Sequence, residues 1–274
     1  MANLLSANLL RLKKSRLFWG TLAFCLGFGI FMVFNYYQMD QYDSITLNGA
    51  FFVYPIIVSI IMAVFIPLFF GREYSDGAIR NKVAAGYPRS VIYGADLLTG
   101  MAVSLLFCAA HMAVVAAAGT PLVGFIVMDA GRAVLMILGS LLAVAAFCAF
   151  FTIIVMICDR KSVSAVVCVL GVFLLLIASI YMKSRLDSPE YYTDHAVWEN
   201  GMPIPGGLVK NPQYLGGTQR TVFELLYSLL PSSQVVQYSS QETQNLGSMP
   251  LYALAAIALS SGLGLLLFRR KDLK

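Results

Sequence analysis

The sequence predicts an all-α, polytopic membrane protein with six transmembrane helices. Of its 274 residues, 59% are hydrophobic and only 12% are charged, and the mean hydropathy is +0.76. A soluble domain of this length carries about 25% charged residues. The charged residues are also clustered, which leaves long uncharged stretches between them. Such a chain has too little polar surface to face water, so composition excludes an ordinary soluble domain.

Six uncharged stretches are long enough to cross a bilayer. About 20 apolar residues suffice, because a helix rises about 1.5 Å per residue through a hydrocarbon core about 30 Å thick. The stretches are residues 17–36, 49–70, 97–119, 133–158, 163–182 and 251–268. The first is too long for the apolar region of a signal peptide, and interfacial tyrosines, Tyr36 and Tyr37, close it. The connection 159–161 is so short that we expect the fourth and fifth spans to form a tight antiparallel hairpin.

The basic residues predict that both termini lie in the cytoplasm. Of the 19 lysines and arginines, 14 fall in segments on the same side as the N-terminus, and five fall in the loops on the other side. Basic residues close to the ends of spans collect on the cytoplasmic side of a membrane. Topology therefore explains the formal net charge of +5, and no nucleic-acid partner is needed.

Residues 1–16, before the first span, have the pattern of an amphipathic helix. Leu5, Leu9 and Leu12 recur at helical spacing, and the basic residues between positions 11 and 16 supply a polar side. This pattern predicts a helix that lies on the inner leaflet. A simple positive topology anchor would carry the same charges and is left open as an alternative.

The sequence contains no recognisable catalytic, nucleotide-binding or metal-binding motif. The phosphate-binding pattern Gly-x-x-x-x-Gly-Lys-Ser/Thr does not occur, and neither do the zinc-protease and serine-hydrolase patterns. All five cysteines lie in the apolar stretches, without the spacing of a metal site or a disulfide framework. We therefore expect no cofactor, no metal site and no catalytic residue in this chain.

The segment 71–95, between the second and third spans, is longer than a connection needs to be. Its helix-breaking residues are Gly71, Gly77, Gly86 and Pro88. They predict a short helix that presents Ile79 and Val83 as an apolar pair one turn apart. This layout favours a helix that docks on a partner protein, and a solvated loop is the alternative.

The segment 183–250 is the largest predicted non-membrane segment and carries six of the ten prolines, so we expect mostly irregular loop on the outside. Residues 221–230 differ, because they are apolar at helical spacing and stop at Pro231. They are too few to span a membrane. We therefore expect a helix at the outer leaflet or over an exit, with Phe223, Leu226 and Leu229 on its apolar face.

His111 is the only ionisable residue deep within a predicted span. Ionisable groups inside a membrane are costly and often functional, so His111 could line a pathway. A neutral imidazole bonded to a neighbouring helix is the structural alternative, favoured by the small residues Ala109 and Ala110 beside it. Because the spans contain almost no acidic residues, an ion-coupled transporter is poorly supported.

The stretch FIPLFFGREYSDGAIRNKVAAGYPRSVIYGADLL, residues 65–98, resembles permeases of the type-2 ABC exporter family. In that family the second span ends in Gly-(Arg/Lys)-Glu and an aromatic residue, and a short Gly-x-Ile-Arg/Lys-x-Lys helix follows. The matching residues are Gly71, Glu73, Tyr74, Gly77, Ile79, Arg80, Asn81, Lys82, Arg89, Ile92 and Tyr93. The C-terminal GLGLLLFRRKDLK is also typical of the family, and the long outer segment resembles its bacitracin and lantibiotic-immunity branches.

The resemblance implies a permease subunit with no ATPase site of its own. Its partners would be ABC ATPase subunits, usually two, and a second permease copy or paralogue. The implied coupling residues are Glu73, Tyr74, Gly77, Ile79, Arg80, Asn81, Lys82 and Val83. We expect Ile79 and Val83 to insert into the ATPase. Charged contacts are expected from Glu73, Arg80 and Lys82, although Glu73 could instead brace the short helix against the spans.

The cargo is not encoded in a recognisable motif. The resemblance implies an exporter in a bacterial plasma membrane. Because the spans offer mainly phenylalanine, leucine, methionine and alanine, we expect its cargo to be a hydrophobic or amphipathic compound, such as a peptide antibiotic. A lipid or small-ion exporter of the same architecture is an alternative. A membrane sensor or scaffold without transport is another.

Overall fold

The structure is a computed structural model that describes residues 1–40, 46–158, 160–193, 197–199, 202–204, 207–243 and 245–271. Its helices are α1 (Ala2–Lys14), α2 (Arg16–Asp40), α3 (Asn48–Phe52), α4 (Tyr54–Ser75), α5 (Ala78–Ala84), α6 (Arg89–Val123), α7 (Ala130–Ile157), α8 (Lys161–Leu186), α9 (Gly217–Leu229), α10 (Pro231–Ser240) and α11 (Met249–Arg270). The strands are β1 (Tyr191–Thr193), β2 (Val197–Glu199), β3 (Met202–Ile204) and β4 (Leu208–Lys210).

Six helical segments in the described part of the chain are long and apolar enough to span a membrane, which confirms the predicted fold class. The spans are α2, α3 with α4, α6, α7, α8 and α11. Helices α3 and α4 form one span that is interrupted at Val53, because Pro55 stands at the start of α4 and cannot donate a backbone hydrogen bond. Gly71, expected to break a helix, lies inside α4 instead.

Helices α4 and α7 are the most buried spans, and α2 and α11 are the least buried. The predicted hairpin of the fourth and fifth spans is only partly correct. Helices α7 and α8 are joined by a short connection, but α8 packs mainly along α4, while α7 packs along α4 and α11. A short loop fixes where two helices meet, whereas the apolar faces decide which neighbour each follows.

Helix α1 is separated from α2 by Ser15, whose backbone is extended. The hydroxyl of Ser15 accepts a hydrogen bond from the Phe18 amide of α2 at 3.3 Å. The buried face of α1 consists of Leu4, Asn8 and Leu12, not of the predicted line through Leu5 and Leu9. The predicted amphipathic helix therefore exists, with its buried face rotated toward α6.

The segment after α8 is more ordered than the sequence predicts. Strands β1 and β4 pair antiparallel, and β2 pairs antiparallel with β3 in the chain between them. Helix α9 then leads directly into α10, which packs against α7, α8 and α4. The expected loop after Pro231 is wrong, because α10 enters the bundle and buries every side chain from Ser232 to Tyr238.

The bundle thus has two distinct ends. The terminal end, named for the chain termini, contains α1, α5 and the last turn of α11. The hairpin end, named for the paired strands between α8 and α9, contains α9 and α10. The terminal end carries the segment that the sequence singles out as a docking element.

Candidate functional site

Helix α5 begins at a glycine that the backbone requires. Gly77 has φ +71°, in the left-handed region where glycine carries no steric penalty. Its carbonyl accepts a hydrogen bond from the Arg80 amide at 3.0 Å, which closes the first turn of α5. A sharp change of chain direction therefore separates α5 from α4.

Helix α5 ends in a Schellman motif. The Tyr87 amide donates to the Lys82 carbonyl at 3.2 Å, and the Gly86 amide donates to the Val83 carbonyl at 3.0 Å. Gly86 supplies the left-handed conformation, with φ +87°. Pro88 then stands immediately before α6. The short helix has the form predicted from Gly77, Gly86 and Pro88.

The buried face of α5 packs against the permease itself. Ile79 is only 2% exposed and lies in a cluster with Leu4 of α1, Ile92 of α6 and Phe268 of α11. Val83 and Tyr74 pack partly buried against the same cluster. The opposite face is bare, since Arg80, Asn81 and Ala84 are exposed. The expected insertion of Ile79 into a partner does not fit this placement, because Ile79 already fills the core of the terminal end.

Glu73, at the end of α4, connects three helices through its carboxylate. Lys82 of α5 donates to Glu73 Oε2 at 2.5 Å, and Arg11 of α1 forms an ion pair with Glu73 Oε1. Arg11 also donates to the Phe69 carbonyl at 3.2 Å and lies over the Phe69 ring. The Glu73 side chain is 7% exposed, so this is a nearly buried bridge between α1, α4 and α5.

Burial changes the proton affinity of both basic partners. The pKa of Lys82 is below its ordinary value because burial disfavours the ammonium charge; the carboxyl group of Asp96 opposes the shift, and the charge of Arg11 adds to it. The pKa of Arg11 is likewise lowered, mainly by burial. Nearby carboxylates therefore offset part of the cost of burying these two charges.

A second polar contact joins α1 to α6. Asn8 donates to Asp96 Oδ1 at 3.0 Å and to Thr99 Oγ1 at 3.3 Å. All three residues are buried. Because buried polar groups are costly without partners, this contact fixes the rotation of α1 about its own axis.

The last turn of α11 is held to the same region by two cations. Arg89 donates to the carbonyls of Phe268, Arg269 and Lys271. The Lys271 ammonium donates to two carbonyls at the end of α7, those of Met156 at 3.0 Å and Ile157 at 2.9 Å. These bonds satisfy carbonyls that a helix leaves free at its C-terminus.

His111 lies inside the bundle, 2% exposed, and ties α6 to α3. Its Nε2 is 3.2 Å from the Ala50 carbonyl, a hydrogen-bond distance. Its ring also lies near Phe28 of α2 and Tyr54 of α4, with centroids 6.0 Å and 6.2 Å away. This placement matches the structural interpretation of His111, and a role in a pathway stays a prediction.

The predicted apolar face of the outer helix is divided in two. Phe223 packs with Tyr227 and Leu230 against the end of α8, whereas Leu226 and Leu229 are partly exposed, at 42% and 37%. Positions 223, 227 and 230 lie on one side of a helix, and 226 and 229 lie on another. Phe223 therefore anchors α9, and contact of Leu226 and Leu229 with the outer leaflet stays a prediction.

Sequence reasoning missed the partners that Glu73 and Asp96 have in the N-terminal helix, which are Arg11 and Asn8. Asn8 and Arg11 stand three residues apart in a segment interpreted as a membrane-surface helix. The available signal was Asn8 in a leucine-rich segment, because an amide that becomes buried there needs a partner.

A comparison with known protein families identifies the family of this chain. The profile of the family described as ABC-2 family transporter protein matches residues 4–182, more than half of the chain, from α1 into α8 and including all of α5. No curated protein sequence matches the chain. The chain belongs to the ABC-2 transporter family and is a membrane-spanning permease subunit of an ABC transporter, whose partner is a separate ABC ATPase.

Proposed function

We propose that the subunit exports a hydrophobic or amphipathic compound, and that the exposed face of α5 receives the movement of the ATPase. The observation that carries this proposal is the two-sided form of α5. One face is fixed in the core through Ile79, and the other presents Arg80, Asn81 and Ala84 to the surroundings. A helix with one face packed in the core and the other face exposed is suited to bind a partner protein.

The contacts of α5 support a transmission role. Lys82 binds Glu73, and Glu73 binds Arg11, so a displacement of α5 is passed to α4 and α1 through charged contacts. Ile79 passes the same displacement to α6 and α11 through apolar contacts. In this proposal Glu73 and Lys82 brace the short helix, and Arg80 and Asn81 contact the ATPase.

The proposed orientation has the terminal end in the cytoplasm of a bacterial cell, because ATP is there and most basic residues lie at that end. The native cysteines would first be removed, and single cysteines placed at Asp76 and Gln213. The cysteine at position 76 should react only with membrane-permeant thiol reagents, and the one at 213 with impermeant reagents. Labelling of position 76 from outside intact cells would contradict the proposed orientation.

A second permease copy and the cargo path are proposed at the exposed side of α2. Phe24, Phe28 and Phe31 follow one another along this helix with ring centroids 6.2 Å and 6.3 Å apart. Phe24 and Phe31 are more than half exposed. An aromatic stripe of this kind suits an apolar surface of a second subunit and an amphipathic cargo, such as a peptide antibiotic.

The docking proposal is tested by substitutions on the two faces of α5. Arg80→Glu and Ala84→Asp, on the exposed face, should leave the permease at normal abundance and abolish co-purification with its partner ATPase. Contacts in a protein interface can each contribute about 2 kcal/mol or more, roughly 30-fold in affinity. Ile79→Asp, on the buried face, should instead lower the abundance of the permease itself.

The matched control is Arg270→Glu, which reverses an exposed charge at the terminal end outside α5. It should retain both ATPase binding and abundance. Normal ATPase binding by Arg80→Glu and Ala84→Asp would show that the partner docks elsewhere.

A further inference from the structure

A cavity of about 810 Å³ opens at the terminal end, between the junction of α1 with α2 and the end of α4. Four basic side chains line it, those of Arg11, Lys14, Arg16 and Arg72. Two acidic side chains also line it, those of Glu73 and Asp76. The lining therefore carries a formal charge of +2, and it lies where the first span meets the N-terminal amphipathic helix.

The basic groups of this cavity are only partly neutralised by the chain. Glu73 is already shared between Arg11 and Lys82, and Asp76 pairs with Arg72 at 3.3 Å in an exposed contact that contributes little. Within the described residues, neither Lys14 nor Arg16 has a salt-bridge partner, and both are exposed. The pKa of Arg11 is lowered first by burial; the charge of Asp96 opposes this shift, and the charge of Arg72 adds to it. An anion in the cavity would relieve this crowding of positive charge.

An apolar groove continues from this cavity along the membrane-spanning part of the chain. It has a volume of about 520 Å³, lies between α2 and α4, and shares Arg16 and Leu17 with the charged cavity. Its other walls are Gly20, Thr21, Phe24, Ile60, Ile61, Val64 and Phe65. A side chain at Gly20 would meet no atom within 4 Å, so the groove is open at this point.

We propose that the two connected cavities bind one anionic phospholipid, with its phosphate among Arg11, Lys14, Arg16 and Arg72 and an acyl chain in the groove between α2 and α4. The combination of charge and groove selects this occupant. A free anion would leave the groove unused, and a neutral lipid would leave the basic groups unpaired. Basic residues at the cytoplasmic surface of a membrane attract anionic lipids, so the choice of leaflet depends on the proposed orientation.

The two carboxylates narrow the type of headgroup. Glu73 and Asp76 would repel a headgroup with several negative charges, but the exposed carboxylate of Asp76 can accept hydrogen bonds from hydroxyl groups. A headgroup with one negative charge and free hydroxyls, as in phosphatidylglycerol, meets both conditions. The lipid would lie beside the bridge from Arg11 through Glu73 to Lys82, and it would hold α1 against α4. The composition of the bilayer would thereby set the stability of the terminal end.

The test uses the purified full-length chain in detergent, titrated with phosphatidylglycerol or with phosphatidylcholine of the same acyl chains. Phosphatidylglycerol should raise the thermal unfolding midpoint, and phosphatidylcholine should not. The double variant Arg16→Gln, Arg72→Gln should weaken the apparent affinity about tenfold or more, since each basic group near an anionic surface contributes appreciably. The control Arg270→Gln removes an exposed charge at the same end and should bind normally.

The groove is tested separately by Gly20→Phe, which should fill it and reduce the number of phosphatidylglycerol molecules retained in native mass spectrometry. The control is Gly262→Phe on α11, another exposed glycine at which a side chain would meet no atom within 4 Å. Equal stabilisation by inorganic phosphate would overturn the proposal in favour of a free-anion site. Unchanged lipid retention in Gly20→Phe, or in the double arginine variant, would also overturn it. These measurements do not depend on ATPase docking or on cargo.

Discussion

The terminal end and the hairpin end of the bundle are held together by different kinds of polar contact. At the terminal end the contacts are charged, as in the bridge of Glu73 with Arg11 and Lys82. At the hairpin end the interior contacts are neutral, as where the Ser179 hydroxyl lies 2.7 Å from that of Ser232. The ion pair of Lys183 with Glu242 at that end lies at the exposed rim.

The two kinds of contact tolerate movement differently. Arginine and lysine side chains are long and flexible, so ion pairs such as Arg11 with Glu73 can follow a shift of a helix. Hydroxyl contacts and close packing are short-range and are lost when helices separate by an ångström. We infer that the terminal end can move as a connected unit when the ATPase acts, whereas the hairpin end is held shut by the shape of α10.

The largest expected effect is at the charged end. Glu73→Ala should lower the free energy of unfolding by about 2–3 kcal/mol, because Arg11 and Lys82 lose their shared carboxylate. This is below the cost of breaking a fully buried pair, since the Arg11 side chain is 36% exposed. Thermal unfolding of the purified chain and its abundance in membranes measure the loss.

The same bridge makes a double-variant prediction. Lys82→Met combined with Glu73→Gln should cost less than the sum of the two single changes, because the pair is removed together. Additive losses would show that Glu73 and Lys82 contribute independently. If Glu73→Ala kept normal stability but lost ATPase binding, the role of Glu73 would be docking and not bracing.

The next largest effect is at the neutral end, where α10 fits against a glycine of α7. A Cβ at Gly139 would lie 2.0 Å from the Tyr238 hydroxyl oxygen and 2.5 Å from its Cζ atom. Gly139→Ala should therefore displace the ring and cost about 1–3 kcal/mol of unfolding free energy through overpacking. The control is Gly171→Ala on α8, where a Cβ would meet no atom within 4 Å.

The link between Gly139 and Tyr238 is tested by removing the ring. When Tyr238 is already replaced by serine, the further change Gly139→Ala should cost less unfolding free energy than it does in the unchanged protein. The same thermal unfolding measures both costs. If Gly139→Ala costs as much in the Tyr238→Ser variant as in the unchanged protein, the alanine acts on a neighbour other than Tyr238.

The smallest effect is expected for Ser179→Ala. It removes the hydroxyl that contacts Ser232 at 2.7 Å and Ser233 at 2.9 Å. The cost should be about 1 kcal/mol, because such bonds are weak within membrane bundles and the serines can find other partners. Protease sensitivity of the segment between α8 and α11 would report the loosening. A loss as large as that of Glu73→Ala would remove the distinction between the two ends.

The sequence predicts the spans well because each depends on one local quantity. A stretch of about 20 uncharged apolar residues must form a helix in a bilayer, whatever its neighbours are. The bounds of α5 are predicted for a similar reason, because Gly77 and Gly86 adopt backbone conformations that other residues avoid. ATPase contact by the exposed residues of α5 stays a prediction.

The sequence predicts the sides of the short helices poorly. Ile79 is predicted to be a docking residue that inserts into a partner, yet it is buried in the core of the terminal end. Phe223 and Leu226 are predicted to share a face, but only Phe223 packs against the end of α8, and Leu226 is exposed. In a helix of two or three turns, several faces are apolar enough to be buried, and the neighbour decides among them.

Helix α10 shows most clearly what tertiary structure alone decides. Its sequence, PSSQVVQYSS, has no apolar stripe, and polar residues after a proline indicate a surface loop. It becomes buried because Ser179 of α8 and Gly139 of α7, both distant in the chain, offer a partner and space. The carbonyls of Tyr227 and Ser228 in the preceding α9 accept hydrogen bonds from its two glutamines. The sequence by itself determined six spanning helices and a short helix between two glycines, because hydrophobic length and backbone sterics are local. The burial of polar segments and the pairing of charges required the assembled bundle, because each also depends on partners far away in the chain, such as Ser179 for Ser232 and Arg11 for Glu73.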